Sequence, residues 1–337
     1  MEKEFKNKII LITGGTGTIG SEIVKELLKY KPKQIRVLSR DENKQYHLLE
    51  KLKYPDNLRL FIGDIRDKER LDLAFEDVDI VIHTAALKHV SLCEYNPFEA
   101  VKTNIYGSQN IISCSIKHGV KKVIGISTDK AANPTSIMGT SKLMMEKLFI
   151  NANYYVGKKP TVFSCVRFGN VAWANGSVLP LWKKQASDEG RLKVTNNKMS
   201  RFLMSKKQAA ELVLKAVQLT QQGEVFILKM PAIKLADLAK LFILKYYPDK
   251  KIKLEIIGNR LGEKIHESLF DGNDKEKKIL EDNEMFIILP NFEISRLVKV
   301  KPKKAAYLGF KAARRANINK YSSSLNCLNT RKIKEVI

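Results

Sequence analysis

The segment Thr13-Gly14-Gly15-Thr16-Gly17-Thr18-Ile19-Gly20 limits what this chain can fold into more than any other stretch. It stands between an apolar run, Lys8 to Thr13, with the length of a buried strand, and a stretch of helical periodicity from Thr18 to Tyr30. Glycines at 14, 17 and 20 let the backbone turn tightly and bring it close to an anion at the positive N-terminus of the helix. A G-x-x-G-x-x-G spacing alone is a weak signal; one that leaves a strand and opens a helix is a strong one. Gly14, Thr16, Gly17, Thr18, Ile19 and Gly20 are therefore the candidate pyrophosphate contacts of a dinucleotide site.

The same strand–helix unit then recurs along the chain. Strands are predicted at Gln34 to Ser39, Leu58 to Ile62, Asp79 to Thr84, Lys122 to Ser127 and Val162 to Phe168. Helices are predicted between them, near Asp41 to Lys53, Asp67 to Phe75, Pro97 to His118 and Ile137 to Tyr155. Strands alternating with helices at this spacing predict an α/β fold, a Rossmann-type doubly wound parallel sheet covered on both faces. After about residue 170 the alternation breaks into shorter elements: helices at Val178 to Ala186, Lys206 to Thr220 and Ile233 to Tyr246, and extended runs at Glu224 to Leu228 and Lys253 to Ile257. We expect a nucleotide-binding domain over residues 1–170. A smaller C-terminal α/β substrate lobe is expected over 171–310, with room for some segments to return to the first domain. A basic tail of unknown role covers 311–337.

The chain has 337 residues, enough for a sizeable core. It has no apolar run of the roughly 18 residues that span a bilayer, and its first residues lead straight into a strand without a signal-peptide apolar region. These features predict a cytoplasmic protein. Cys93, Cys114, Cys165 and Cys327 lack metal-ligand spacing and read as free thiols, so no metal site is expected. The net charge of +24 would suit nucleic acid, a membrane surface or an anionic substrate. The lysines, however, are spread along the chain, with some concentration from Lys299 to Arg315, and no nucleic-acid-binding motif accompanies them. Solvated faces are the reading, and no dedicated nucleic-acid partner is expected.

Strand ends carry the remaining candidates. After the second strand, Arg40 would suit the 2′-phosphate of NADP, while Asp41 beside it keeps NAD open. Asp64 and Ile65 follow the third strand, at the place of the adenine; Ala85 and Ala86 follow the fourth, along the pyrophosphate and nicotinamide ribose; Lys88 borders both cofactor and substrate. The fifth strand ends in Ser127-Thr128-Asp129-Lys130. Further on, Met138 and Lys142 have the spacing at which many short-chain dehydrogenases carry Tyr-x-x-x-Lys. A methionine can neither give nor take a proton. Either the site is inert or its acid–base chemistry rests on Asp129 and Lys130.

Together these residues resemble an extended short-chain dehydrogenase/reductase. The segments Ala85-Ala86-Leu87-Lys88-His89-Val90, Glu94-Tyr95-Asn96-Pro97, Ser127-Thr128-Asp129-Lys130-Ala131-Ala132-Asn133-Pro134, Arg167-Phe168-Gly169-Asn170-Val171, Gly176-Ser177-Val178 and Arg260-Leu261-Gly262-Glu263-Lys264 narrow it. They are similar to the UDP-N-acetylglucosamine 4,6-dehydratase family of bacterial surface-polysaccharide synthesis, over about Lys8 to Leu269. The likeness is to the short members without membrane helices. That family includes members with Met at the tyrosine position, so Met138 does not mark a dead enzyme.

The resemblance implies oxidation at C4 of a UDP-sugar, loss of water across C5–C6, and return of hydride to C6, with no net redox. It implies Asp129 as the acid for the departing C6 hydroxyl and Lys130 as the base at C5, provided its pKa is depressed. Thr128 would bond the C4 oxygen and Lys142 would hold the nicotinamide ribose. The group that takes the C4 hydroxyl proton stays open; Asp129 serves if it begins ionised. Arg260 and Glu263 match a motif reaching diphosphate and ribose, and Asn170 a position on the diphosphate or sugar. Ser177, Val178 and Arg201 are further substrate candidates, with a surface salt bridge equally open to Arg201. His89 reads equally as structural or functional, and Asn104 as a bridge to backbone. The competing readings are a UDP-sugar epimerase on the same fold and a non-catalytic NADP-sensing or nucleic-acid-binding protein. The resemblance also implies a homo-oligomer, dimer or larger, paired through the helices near 97–118 and 137–155.

Overall fold

The computed structural model describes residues 1–291, 293–294, 298–299, 307–314, 318 and 321–327. After a short helix α1 (Glu2–Phe5) come β1 (Ile9–Thr13), α2 (Thr18–Leu28), β2 (Gln34–Ser39), α3 (Glu42–Lys51), β3 (Leu58–Ile62), α4 (Lys68–Phe75) and β4 (Ile80–His83). Next are α5 (Val90–Tyr95), α6 (Pro97–Ala100), α7 (Gly107–Lys117), β5 (Lys122–Thr128), α8 (Ile137–Ala152) and β6 (Val162–Phe168). These strands pair in parallel in the order β3-β2-β1-β4-β5-β6. β1 and β4 are buried at every position, which is why they read as unbroken apolar runs: helices cover both faces. The order reverses on either side of β1, and a crevice forms outside the carboxyl ends of such strands.

The chain then leaves the sheet through β7 (Asn170–Val171), α9 (Val178–Asp188), β8 (Arg191–Val194), β9 (Ser200–Met204), α10 (Lys206–Leu219), β10 (Val225–Leu228), β11 (Ala232–Lys234), α11 (Leu235–Tyr246) and β12 (Lys253–Ile256). β11-β9-β7 and β12-β8 form two small sheets. Around them Leu179, Trp182, Leu192, Val194, Leu238 and Phe242 make a second core. β10 returns to the large sheet, parallel to β6, and α10 packs against α2. The hairpin β13 (Ile279–Glu281) and β14 (Met285–Ile288) extends that sheet antiparallel beyond β10, with Lys311–Ala312 at its edge.

Two predicted helices differ from the structure. The expected helix over Pro97 to His118 has a π-helical stretch, Val101–Tyr106, between α6 and α7. Within it Asn104 accepts from Leu87 N and donates to Leu87 O, at 2.8 and 3.0 Å, and donates to Ser141 Oγ at 2.9 Å. The wider turn thus serves a backbone bridge that helical periodicity does not reveal. The expected start of a helix at Ile233 is instead the end of β11, because pairing with β9 captures Ala232–Lys234.

The sheet and the C-terminal part are joined through buried charge. Arg167 on β6 donates to Glu146 of α8 at 2.6 and 3.0 Å, and to Asp274 Oδ2 and Leu269 O at 2.6 and 2.7 Å. Burial alone would lower its pKa, but Glu146 and Asp274 outweigh that and hold the guanidinium above its ordinary range. The stretch 321–327 also folds back. Tyr321 lies between Phe202, Phe270 and Phe286 and accepts a hydrogen bond from Met230 N at 2.6 Å. The rest of the basic tail, and most of the Lys299 to Arg315 charge concentration, lie outside the described residues. No helix among the described residues is long and apolar enough to cross a membrane.

Candidate active site

The glycine loop has no room for side chains. Gly14 sits at φ +68°, and a Cβ there would lie 2.7 Å from Ala85 N. A Cβ on Gly20 would lie 2.5 Å from Gly14 O, and one on Gly15 would lie 2.8 Å from Val37 Cγ1. Gly17 N closes the turn on Gly14 O at 2.9 Å. The helix α2 starts at Thr18 with no side-chain cap, so its first N–H groups face outward, as an anion requires. The residues present fit a dinucleotide pyrophosphate. Ala85 and Ala86 run beside this loop, and Ile65 fills the space over Gly107, where a Cβ would lie 2.5 Å from its Cδ1.

At the end of β2 the two cofactor-reading candidates diverge. Asp41 is spent on its own helix: it caps α3 by accepting from Lys44 N at 3.0 Å and pairs with Lys44 Nζ at 2.8 Å. Arg40 is exposed and only loosely paired, 3.8 Å from Asp64. Asp64 itself is engaged by Arg66, at 2.7 and 3.0 Å; burial pushes its pKa up, but the Arg66 bonds prevail and hold it below the usual range.

Behind the central strands, His83 is wholly buried. Ser108 spends its hydroxyl proton on Asn104 O at 2.7 Å, so it accepts from His83 Nε2–H at 3.3 Å, and Nδ1 accepts from Thr13 Oγ1 at 2.7 Å. Burial, with help from Lys142, drops its pKa to about 3. Lys142 is also buried, and its Nζ donates to Ile126 O at 2.5 Å and to Met145 Sδ at 3.0 Å. Burial pulls its pKa down to about 8. Met138 is packed with Cys93 and Ala100 in an apolar cluster, where it serves as filler.

Asp129 and Lys130 stand at the end of β5 on a single 3₁₀ turn capped by Thr128. Asp129 is fully buried. Its Oδ1 accepts from Thr128 Oγ1 and from Lys130 Nζ, both at 2.9 Å, while Oδ2 has no hydrogen-bond partner. Gly169 permits this: a Cβ there would stand 3.3 Å from Oδ2. The segment Arg260 to Lys264 docks on the loop after β5. Thr135 Oγ1 donates to Gly262 O at 3.0 Å, and Lys264 Nζ donates to Ala132 O at 2.7 Å. The two motifs, far apart in the chain, thereby share a cleft lined by Lys130, Ser136, Glu263, Lys264 and Glu267.

The other substrate candidates are distributed around it. Asn170 follows Gly169, and its Oδ1 is buried without a partner, as are Ser177 Oγ and Glu263 Oε2. Ser177 and Val178 open α9, on a loop that crosses the glycine turn: Asn175 N donates to Thr18 Oγ1 at 3.0 Å and Lys88 Nζ donates to Asn175 O at 2.6 Å. His89 lies under this loop, where a Cβ on Gly176 would be 2.4 Å from its Cε1. Arg260 is exposed, two residues before Gly262 of the cleft.

Comparison with known proteins fits this architecture. The polysaccharide biosynthesis protein family matches residues 10–289. The chain belongs to that family. It is 46% identical over 272 residues to a Campylobacter jejuni UDP-N-acetylglucosamine 4,6-dehydratase (inverting), covering 80% of this chain and 79% of that one. It is 41% identical over 277 residues to a Rickettsia canadensis UDP-glucose 4-epimerase, covering 81% and 80%. A Methanocaldococcus jannaschii protein described as an uncharacterized membrane protein is 51% identical over 292 residues, covering 85% and 87%. The X-ray structure of Pen from Bacillus thuringiensis superposes with a TM-score of 0.89 at 42% identity, covering 99% of this chain and 98% of that one. The family resemblance drawn from the motifs, and the Rossmann-type fold, are borne out.

Two expectations for this family member need correction. The expected base, Lys130, does not have a depressed pKa. Burial does push it down, but Asp129 and Glu267, the latter 3.5 Å away, prevail and hold it above the ordinary lysine value, so the ligand-free side chain is an ammonium. Arg201 makes no salt bridge among the described residues: it is buried and donates to Ser200 O, Ile265 O and Met199 Sδ. Glu267 is a site residue that the sequence does not reveal. It follows Lys264 by three positions in an irregular segment, so no helical or strand period marks it.

Proposed function

We propose that this protein is a UDP-N-acetylglucosamine 4,6-dehydratase with NADP as its cofactor, producing a UDP-2-acetamido-2,6-dideoxy-4-hexulose for glycan synthesis. The observation that carries the reading is the buried Asp129–Lys130 contact pair, with one unsatisfied carboxylate oxygen, facing the docked Arg260–Lys264 segment. The dehydratase relative at 46% identity supports it. A nicotinamide held along Ala85, Ala86 and Lys142 would supply the hydride acceptor for C4 and the hydride donor for C6.

The residues divide the remaining work. Gly14, Thr16, Gly17, Thr18, Ile19 and Gly20 receive the pyrophosphate; Arg40 receives the 2′-phosphate; Asp64 and Ile65 border the adenine; Ala85, Ala86 and Lys88 flank the path to the ribose, which Lys142 holds. Arg260 takes the diphosphate by a bidentate contact and Glu263 the uridine ribose. Asn170, Ser177, Val178 and Arg201 shape the sugar pocket. Thr128 bonds the C4 oxygen. Asp129 takes the C4 hydroxyl proton on its unpaired Oδ2 and passes it to the departing C6 hydroxyl, which leaves as water. Lys130, having shed one proton, takes the C5 hydrogen and returns a proton there afterwards. That return to either face decides whether C5 inverts. Because Lys130 starts as an ammonium, turnover rises with pH.

A second reading, a UDP-sugar epimerase, is favoured by the relative of that activity at 41% identity. Mass spectrometry of UDP-N-acetylglucosamine incubated with the protein in deuterated water, without added reductant, separates the two. A product lighter by one water and carrying solvent deuterium supports the dehydratase; unchanged mass without solvent deuterium, with the C4 configuration altered by NMR, supports C4 epimerisation, and no dehydrated product overturns the proposal.

A further inference from the structure

We infer that Glu267, held in place by the C-terminal segment through Ser323, is a positioning residue that sets the pH at which Lys130 becomes a base. This rests on the dehydratase reading for its consequence in turnover, but its electrostatic part stands on geometry alone.

Glu267 is 2% exposed and lies in no regular element. A buried carboxylate needs compensation, yet its Oε2 has no hydrogen-bond partner. What it has is two ammonium groups. Lys130 Nζ is 3.5 Å from Oε1 and Lys264 Nζ is 3.7 Å from Oε2. Lys264 is fixed elsewhere, by Ala132 O. Lys130 therefore stands between two carboxylates, Asp129 at 2.9 Å and Glu267. Asp129 is assigned to the reaction, so the second carboxylate is the constant one.

The groups facing Lys130 come from several segments. Asp129 and Glu267 favour its charged form; Arg201 on β9 opposes it, and Lys264 shares the same field. Glu263 lines the same cleft, and Glu94 of α5 lies behind it, accepting from Ile137 N. Of these carboxylates, only Asp129 and Glu267 lie within 4 Å of Lys130 Nζ.

The backbone of Glu267 is clamped by a segment far along the chain. Glu267 N donates to Ser323 Oγ and Ser323 N donates to Glu267 O, both at 2.8 Å. Ser323 Oγ in turn meets Ser200 Oγ at 2.8 Å, beside Arg201. Ser268 and Ser322 add a bridge, and Ala232 N donates to Asn326 O at 3.0 Å. The segment 321–327 is thereby built against the site, although its sequence carries no motif.

The test is direct titration of Lys130 in full-length protein with ¹⁵N-labelled lysine by NMR, the signal assigned by its loss in Lys130→Met. Glu267→Gln is expected to lower the titration midpoint by about one pH unit or more, a tenfold change in neutral amine. Glu267→Asp is expected to retain most of the wild-type midpoint, and Ser323→Ala to give a smaller downward move. In parallel, the pH profile of kcat/KM for UDP-N-acetylglucosamine should move to lower pH in Glu267→Gln. An unchanged Lys130 midpoint in folded Glu267→Gln overturns the inference. A moved midpoint in a protein that yields no dehydrated product upholds the electrostatic role and overturns the dehydratase reading alone.

Discussion

Arg167→Met probes the charge cluster that ties the sheet to the C-terminal part. The guanidinium is bonded to Glu146 and Asp274, whose side chains are 1% and 3% exposed. Methionine fills much of the same volume and removes the charge. Glu146 is then left without its ion-pair partner, and Asp274 keeps Lys277 at 3.2 Å and the Asp271 N–H at 3.3 Å. Breaking a buried pair by removing one partner costs about 3–5 kcal/mol. For a chain of 337 residues the unfolding entropy is about 0.7 kcal/mol/K, so the melting temperature should fall by about 4–7 °C. Circular dichroism melts at neutral pH measure it. The triple variant with Glu146→Leu and Asp274→Leu removes the stranded charges and should recover most of the loss, because buried ion clusters are near break-even against apolar packing. A single variant melting with the wild type, or a triple variant no better than the single, would show that the buried charge cluster does not tie these parts together.

Three further outcomes rest on the buried and cofactor-facing groups. His83 titrates at about 3 in the native state against an ordinary 6.5, so its burial costs nothing above pH 6.5; below that only the unfolded chain gains the proton, and about 3 kcal/mol is lost by pH 4. His83→Gln should flatten that acid limb in urea titrations, and parallel limbs would count against it. Lys142 titrates at about 8 natively against 10.5; stability therefore rises with pH between those values and is lowest below 8. Lys142→Met should gain up to about 3 kcal/mol at pH 7 while losing turnover, and retained turnover would remove Lys142 from the site. Arg40→Ala should weaken NADP binding by about 10–100-fold and leave NAD binding unchanged in calorimetry; equal effects on both would undo the 2′-phosphate assignment.

Much of this fold is legible in the chain because the relevant patterns are local. A strand buried on both faces is a run such as Ile9–Thr13, and a phosphate turn needs its glycines within a few positions. The catalytic candidates are legible for the same reason: strand ends collect at one edge of a parallel sheet, and Thr128 and Asp129 sit at one. What the sequence hides depends on tertiary pairing. The charge state of Lys130 turns on Glu267, which lies far off in sequence and in no periodic element. Arg201 has the look of a surface cation and is buried by β11 and the stretch before Glu267. Nothing in Tyr321 to Cys327 suggests that it returns to clamp the site.

In the proposed reaction, oxidation at C4, loss of water and reduction at C6 occur on one bound sugar. The fate of the label from UDP-N-acetylglucosamine deuterated at C4 reports on this. The expected product is lighter by one water with the deuterium at C6, by NMR and mass spectrometry. Deuterium returned to C4, with no water lost, would contradict it and assign the site to epimerisation.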